Sequence, residues 1–462
     1  MVYNHLVMAL KIINALTKKL IQMKVKAYFR LWFFFRVWKL LFHDFGTCSK
    51  KLIWVFLAIL FSSLVIGCAQ KRGIANHPKQ QFYQDITEGY LPSGKVSIQG
   101  ATFARLDRNL GSDLVWFTST AGKGTKIKIL LNEGSKGIGL SKDANKVKRI
   151  TENIRYLANV DIDRNGTDDL VLITSSSKKG SAKVLFNNGK GYFYSKLEFE
   201  LPFINSGIER VDPVDLDQDG DVDFLFTGSK VLNKNGKINR RQGQVLINNG
   251  RGQFKDQTYL LWPKLPLGLV STAIADYDQD GFPDIFLVYG NAQNRLLINN
   301  GVGKFIDKTS WSLPKILDQS THADWADFDF DGDNDLLVTN NAIAKPYQSY
   351  SDETCYFLEN IGSGRFIKKS NKILPVVPAT RVYLLDANGT GIPDAIILTK
   401  KGLRYLVGKG KWSFISETQK RFPQTRPMRE MSFGDINGDG FLDILGLVAK
   451  NSNPKLWLNR IN

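Results

Sequence analysis

The sequence predicts an all-β fold, a seven-bladed β-propeller of four-stranded blades, and three observations carry that expectation. A loop with regularly spaced aspartates recurs along the chain, short apolar runs and Asn-Gly turns follow its copies, and the last copy ends one strand short. Repetition at a period of roughly 50 residues marks propellers and solenoids, in which each unit buries its apolar faces against its neighbours.

The loop is clearest at Asp276-Tyr-Asp278-Gln-Asp280-Gly281-Phe-Pro-Asp284. It recurs from Asp161, Asp215, Asp327, Asp386 and Asp435, with a weaker copy from Arg105, and the steps between starts are 56, 54, 61, 51, 59 and 49 residues. Behind the last aspartate lies a run such as Ile285-Phe-Leu-Val-Tyr289 or Ala395-Ile-Ile-Leu398, too short for a helix and rich in strand formers. A second strand then ends in Asn-Asn-Gly at Asn187, Asn248 and Asn299, a hairpin signal. A phenylalanine next leads at fixed offset to a proline pair, as from Phe305 to Leu313-Pro314 and from Phe366 to Leu374-Pro375. Each unit is therefore expected to hold strands A to D, with the aspartate loop between A and B.

The seventh unit stops at Leu456-Trp-Leu458-Asn459, the end of its strand C. Near the other end, Asp85-x-Thr87-x-x-x-Leu91-Pro92 repeats the spacing of Asp307-x-Thr309-x-x-x-Leu313-Pro314. The amino-terminal strand is thus expected to complete the last blade, and closure removes the open edges of an incomplete ring.

In these loops, strands and turns the chain resembles the FG-GAP/VCBS repeat family, the propellers of integrin alpha subunits and of many exported bacterial proteins. The resemblance covers about residues 80 to 462. It implies the fold; for function it leaves adhesion, sugar binding and a few hydrolases open, because function resides in sites and not in folds.

Carboxylates at loop positions 1, 3 and 5, a glycine at 6 for the turn and an acid at 9 gather hard oxygen donors, the chemistry of structural Ca2+; magnesium demands a stricter octahedron and fits less well. The resemblance adds a backbone carbonyl from position 7. The expected ligands are Asp161, Asp163, Asn165 and Asp169 in loop 2, and Asp215, Asp217, Asp219 and Asp223 in loop 3. Loop 4 offers Asp276, Asp278, Asp280 and Asp284; loop 5 offers Asp327, Asp329, Asp331 and Asp335. Loop 6, with Asp386, Asn388, Thr390 and Asp394, has the fewest charges of the six and is expected to bind most weakly; loop 7 offers Asp435, Asn437, Asp439 and Asp443. Loop 1 places Arg105 at position 1 and Leu110 at position 6, and reads as metal-free. An EF-hand would need a glutamate at position 12, where these loops hold Leu172, Phe226, Leu287, Val338, Ile397 and Gly446. Plain aspartate-rich turns are the alternative, but four crowded carboxylates repel one another when no cation is present.

Residues 1–67 carry ten basic residues and one acid, and read as a targeting segment with an apolar core at 52–67. It ends Leu64-Val65-Ile66-Gly67-Cys68, which resembles the bacterial lipoprotein signal and implies a lipidated Cys68 as the mature start. A linker at 68–79 and the propeller at 80–462 follow, and an uncleaved signal anchor is the alternative. Either reading exports the body to the cell envelope, periplasmic or surface-exposed and held to the membrane, and excludes nucleic acid as the partner despite a net charge of +18. Only Cys355 then remains in the body, so no internal disulfide can form.

Of the 44 acids, 22 occupy loop positions 1, 3, 5 and 9, which leaves the remaining surface basic. The turn between strands B and C of the third unit gathers Lys230, Lys234, Lys237, Arg240 and Arg241. Such a turn suits an anionic glycan, a lipid headgroup or an envelope protein; a merely solvated lysine face is the bland alternative. No nucleophile triad, phosphate loop or zinc spacing occurs, and beyond the targeting segment the only histidines are His77 and His322. The expectation is a non-catalytic binding, adhesion or scaffolding module, with a polysaccharide hydrolase or lyase and an envelope assembly factor as alternatives.

Overall fold

Seven antiparallel sheets succeed one another in a computed structural model of the chain. It describes residues 81–461 apart from 92–97, 110, 121–123, 133–151, 176–181, 195–200, 234, 240, 251, 318, 342–354, 370–373, 375–376, 423–425 and 450–453. The targeting segment, Cys68 and the linker lie outside the described residues. Blade 4 shows the pattern, with strands A to D at Leu269–Ala275, Asp284–Tyr289, Arg295–Asn299 and Phe305–Asp307, each paired with the next. Blade 1 shows three strands among the described residues, Gly100–Ala104, Asp113–Thr120 and Gly124–Leu130.

Strand B is buried along its whole length in blades 2 to 6, which explains its unbroken apolar sequence. The core lies between neighbouring blades: Phe328, Leu337 and Phe357 of blade 5 pack with Val382, Ile397 and Phe414 of blade 6. Strand A carries a register shift at the same point in blades 2, 4, 5, 6 and 7, just before Tyr156, Ser271, His322, Arg381 and Glu430.

The ring closes as the spacing predicts. Gln81–Asp85 pairs antiparallel with Lys455–Ile461, from Gln81 opposite Ile461 to Asp85 opposite Trp457, and is strand D of blade 7. Tyr83 in its centre is buried and stacks on Phe422 of blade 6 at 4.6 Å, so the closing strand also ties blade 7 to blade 6.

One element was not anticipated. A one-turn helix follows strand D at Thr87–Tyr90, Thr258–Leu261, Thr309–Ser312 and Thr418–Arg421. It explains the Asp-x-Thr spacing: Asp256 Oδ1 accepts the Thr258 N–H at 3.0 Å, and Thr258 Oγ1 accepts the Val245 N–H of strand C at 2.9 Å. An aspartate turn of this kind fixes the chain direction locally, and the threonine hydroxyl anchors the turn to the sheet.

Candidate metal centres

Each aspartate loop is shaped first by its own backbone. Oδ2 of position 1 accepts the N–H of the position-6 glycine, at 2.8 Å for Asp161 and Gly166 and at 2.9 Å for Asp276 and Gly281. That glycine lies at a φ of 86 to 97 in loops 2 to 5, where a Cβ would be strained.

In loops 2 to 5 one oxygen from each of positions 1, 3 and 9 falls within 4.8 Å of the others: Asp161, Asp163 and Asp169; Asp215, Asp217 and Asp223; Asp276, Asp278 and Asp284; Asp327, Asp329 and Asp335. Asp215 Oδ1, Asp217 Oδ1 and Asp276 Oδ1 are buried without a hydrogen-bond partner. A desolvated carboxylate oxygen with no donor costs on the order of 1–3 kcal/mol or more, and a cation at the point where three of them converge removes that cost. The donor set, all oxygen and all anionic, fits calcium. Burial, and then the neighbouring carboxylates, push Asp217 and Asp278 above the ordinary aspartate range. Asp169, Asp223, Asp284 and Asp335 are pushed up to about 7, chiefly by burial.

Position 9 has a second role that the spacing did not disclose. Its Oδ2 accepts the N–H of position 2, and its Oδ1 the N–H of an asparagine ending strand C; for Asp223 these are Leu216 at 2.9 Å and Asn248 at 2.8 Å. This asparagine ends strand C, and in five blades its amide reaches the preceding blade, whereas Asn248 Nδ2 donates to Val222 O of its own blade at 3.2 Å. Asn187 Nδ2 donates to Leu106 O at 2.7 Å, Asn299 Nδ2 to Leu216 O at 2.7 Å, Asn360 Nδ2 to Tyr277 O at 3.3 Å and Asn459 Nδ2 to Ala387 O at 3.0 Å. Asn132 Nδ2 closes the circle on Ile436 O. In those five blades the asparagine that opens the hairpin turn is therefore also an inter-blade clasp. Blade 6 has Gly408 there, where a Cβ would meet Pro393 O at 2.1 Å, and the Trp412 N–H takes over the contact to Phe328 O at 3.2 Å.

No carboxylate of position 5 joins a triad among the described residues. Asn165, Asp219, Asp280 and Asp331 each accept the N–H of position 7 through Oδ1, at 2.9 Å. Loops 6 and 7, with Asn388 and Asn437 at position 3, bring no carboxylate triad together either, among the described residues. Asn388 Nδ2 donates to both oxygens of Asp394, Asp386 accepts the Thr390 N–H, and Asn437 Nδ2 donates to Asp439. Position 4 was missed by sequence reasoning. Arg164, Gln218, Gln279 and Phe330 sit there at φ 56 to 67, where loops 6 and 7 use Gly389 and Gly438. Side chains other than glycine are uncommon in this left-handed region and point to a structural demand. Arg164 pairs with Asp221 of the next loop, and Gln279 Nε2 donates to Gly332 O and Asp333 Oδ1.

Of the basic turn, Lys234 and Arg240 lie outside the described residues, while Lys230 and Lys237 are exposed. Arg241 is engaged in packing: it donates to Trp262 O and lies over the Tyr259 ring at 5.0 Å. A second polar group surfaces on the inner strands, five residues before the loop starts: Tyr156, Arg210, His322, Arg381 and Glu430. Arg210 pairs with Asp212 at 2.6 Å and Arg381 with Glu430 at 3.2 Å. His322 is buried, and burial followed by Arg381 and Arg210 holds its imidazole well below the ordinary value, hence neutral.

The FG-GAP-like repeat model matches residues 161–226, 276–338 and 386–446. No curated protein matches the sequence. Among solved structures, an Agrocybe aegerita lectin described as recognising non-reducing terminal N-acetylglucosamine is similar at 20% identity and TM-score 0.47, over 72% of this chain and 85% of that one. BBS1N in complex with ARL6DN is similar in a mercury-soaked crystal at 13% identity and TM-score 0.47, over 81% of this chain and 96% of that one. Its lead-soaked crystal gives 11% and 0.49, over 82% and 96%. With the repeated aspartate loop, the seven sheets and the amino-terminal closing strand, the chain belongs to the FG-GAP-like repeat family of β-propellers.

Proposed function

We propose that this propeller is an exported, calcium-stiffened binding module held at the cell envelope through a lipid on Cys68. The observation that carries the calcium reading is the convergence of three aspartates in each of loops 2 to 5, with buried oxygens in loops 3 and 4 that meet no donor. Positions 1, 3 and 9 would hold the ion, and its charge would offset their mutual repulsion. The anchor rests on the Leu64-Val65-Ile66-Gly67-Cys68 ending of the apolar segment, and palmitate labelling that persists in Cys68→Ala would sink it. For the ligand, the turn holding Lys230, Lys234, Lys237 and Arg240 favours anionic groups of a glycan or lipid headgroup, with an affinity that falls as salt screens it. Calorimetric titration of calcium into chelator-treated protein tests the reading: saturable binding at four sites is expected from the four triads. A flat titration refutes it.

A further inference from the structure

A cavity of about 320 Å³ opens at the rim between blades 4 and 5. Blade 4 contributes the one-turn helix Thr309–Ser312 and the loop around Asp278; blade 5 contributes Asp333, Asn360 and the glycine-rich turn that follows. The reason it opens here can be read from the four equivalent helices. Their last residue is Tyr90, Leu261, Arg421 or Ser312, and Ser312 is the smallest of them. At the preceding junction Leu261 comes to 3.7 Å of the Cβ position of Gly303, whereas Ser312 leaves the corresponding space open.

What lines the space is polar around one aromatic face. Trp311, 60% exposed, stands at the cavity with the Arg365 guanidinium 4.4 Å from its ring centre. Asp333 and Asn360 offer acceptors and Lys308 a donor. Ser312 is buried, with the Tyr277 hydroxyl beside its Oγ. The turn keeps that hydroxyl clear: a Cβ on Gly364, at φ 70, would come within 3.1 Å of it.

We propose that this cavity is a sugar site that takes one pyranose ring stacked on Trp311. A pyranose presents an apolar C–H face and a rim of hydroxyls, each both donor and acceptor, which matches an indole face rimmed by Asp333, Asn360, Lys308 and Ser312. The volume lies at the small end of ligand pockets, about 300–1,000 Å³, and suits one ring rather than a chain. The site lies apart from the basic turn but borders Asp278 of the loop 4 triad; it rests on the binding-module reading and not on the anionic ligand or on the calcium assignment.

Saturation-transfer NMR on the full-length protein, in a detergent without a sugar headgroup, would use the methyl glycosides of glucose, galactose, mannose, N-acetylglucosamine and glucuronic acid. At least one is expected to bind saturably. Ser312→Leu, which installs the residue of the blade 3 helix, should weaken that binding at least about tenfold while leaving the melting temperature level or higher. Trp311→Ala should weaken it similarly, and Trp311→Phe should restore part of it. Silence from all five glycosides, or binding unchanged in Ser312→Leu, overturns the proposal. If the protein still melts higher in calcium in that case, the sugar site alone has failed and the calcium-stiffened module stands.

Discussion

Chelating calcium is expected to lower the melting temperature by about 14 °C near pH 8, and by much less near pH 5.5. At a free concentration a hundred times Kd, a ligand of the native state contributes about 2.7 kcal/mol per site, so the four triads together contribute roughly 11 kcal/mol. Unfolding roughly 380 residues at about 2.1 cal/mol/K each gives an entropy near 0.8 kcal/mol/K, and the quotient is the predicted shift. The pH dependence follows from the position-9 aspartates, whose carboxyls burial pushes up to about 7 from 3.8 in the metal-free protein. A carboxyl raised on folding adds stability that is present at low pH and lost as the pH climbs through its folded value. In chelator the melting temperature should therefore fall between about pH 5.5 and about pH 8, and with calcium, which competes with those protons, it should not. Differential scanning calorimetry in calcium and in chelator at both pH values measures all four numbers. Identical melting at the higher pH, or a calcium shift that grows on acidification, would refute the reasoning.

Asn299→Ala should cost roughly 2–3 kcal/mol in urea unfolding, because Leu216 O and the N–H groups of Gly301 and Gly303 lose their buried partner; a loss within experimental error would remove the clasp from the account. Tyr83→Ala should cost about 3–5 kcal/mol, and deletion of residues 81–91 should give aggregation through the exposed edge of Lys455–Ile461; a monomeric deletion protein that melts like the parent would contradict the closure argument. Replacing Lys230, Lys234, Lys237 and Arg240 by glutamine, with Arg241 kept for its hold on Trp262 O, should weaken sedimentation with anionic vesicles and flatten its salt dependence. Equal binding by variant and parent across the salt series would leave the turn a solvated surface.

The repeat, the loop register and the closing strand were legible because each is a local pattern: an aspartate spacing, an apolar run, an Asp-x-Thr pair. What escaped is what joins one unit to the next. The clasp between Asn187 and Leu106 spans 81 residues, and that between Asn360 and Tyr277 spans 83, more than one whole repeat. Within a single unit the asparagine shows only its turn-forming side. Arg164 and Gln279 were passed over for a related reason, since their left-handed backbone is invisible until the loop is folded. The inner-strand group of Arg210, His322 and Arg381 emerges only when equivalent positions of different blades face one another around the ring. Ser312 became informative in the same way, by comparison with Tyr90, Leu261 and Arg421 in the other helices.

Loops 1, 6 and 7 bear on what calcium would contribute. None shows an aspartate triad among the described residues, yet each keeps some of the bonds that close the other four. Asp113 accepts the Leu106 and Asn132 N–H groups, Asp443 accepts those of Ile436 and Asn459, and Asp386 and Asp435 accept those of Gly391 and Gly440. In loop 6 a Tyr405 hydroxyl at 2.7 Å and the Asn388 amide supply the donors to Asp394. Because these turns have hydrogen bonds to close them without an aspartate triad, the blade is expected not to depend on a cation to fold. The extra carboxylates of loops 2 to 5 add repulsion that a cation relieves, so calcium should raise stability without nucleating the structure. Chelated protein at room temperature should accordingly keep its β-sheet circular dichroism and its cooperative transition, only at a lower temperature. Loss of the sheet signal on chelation would show instead that the ion builds the blades.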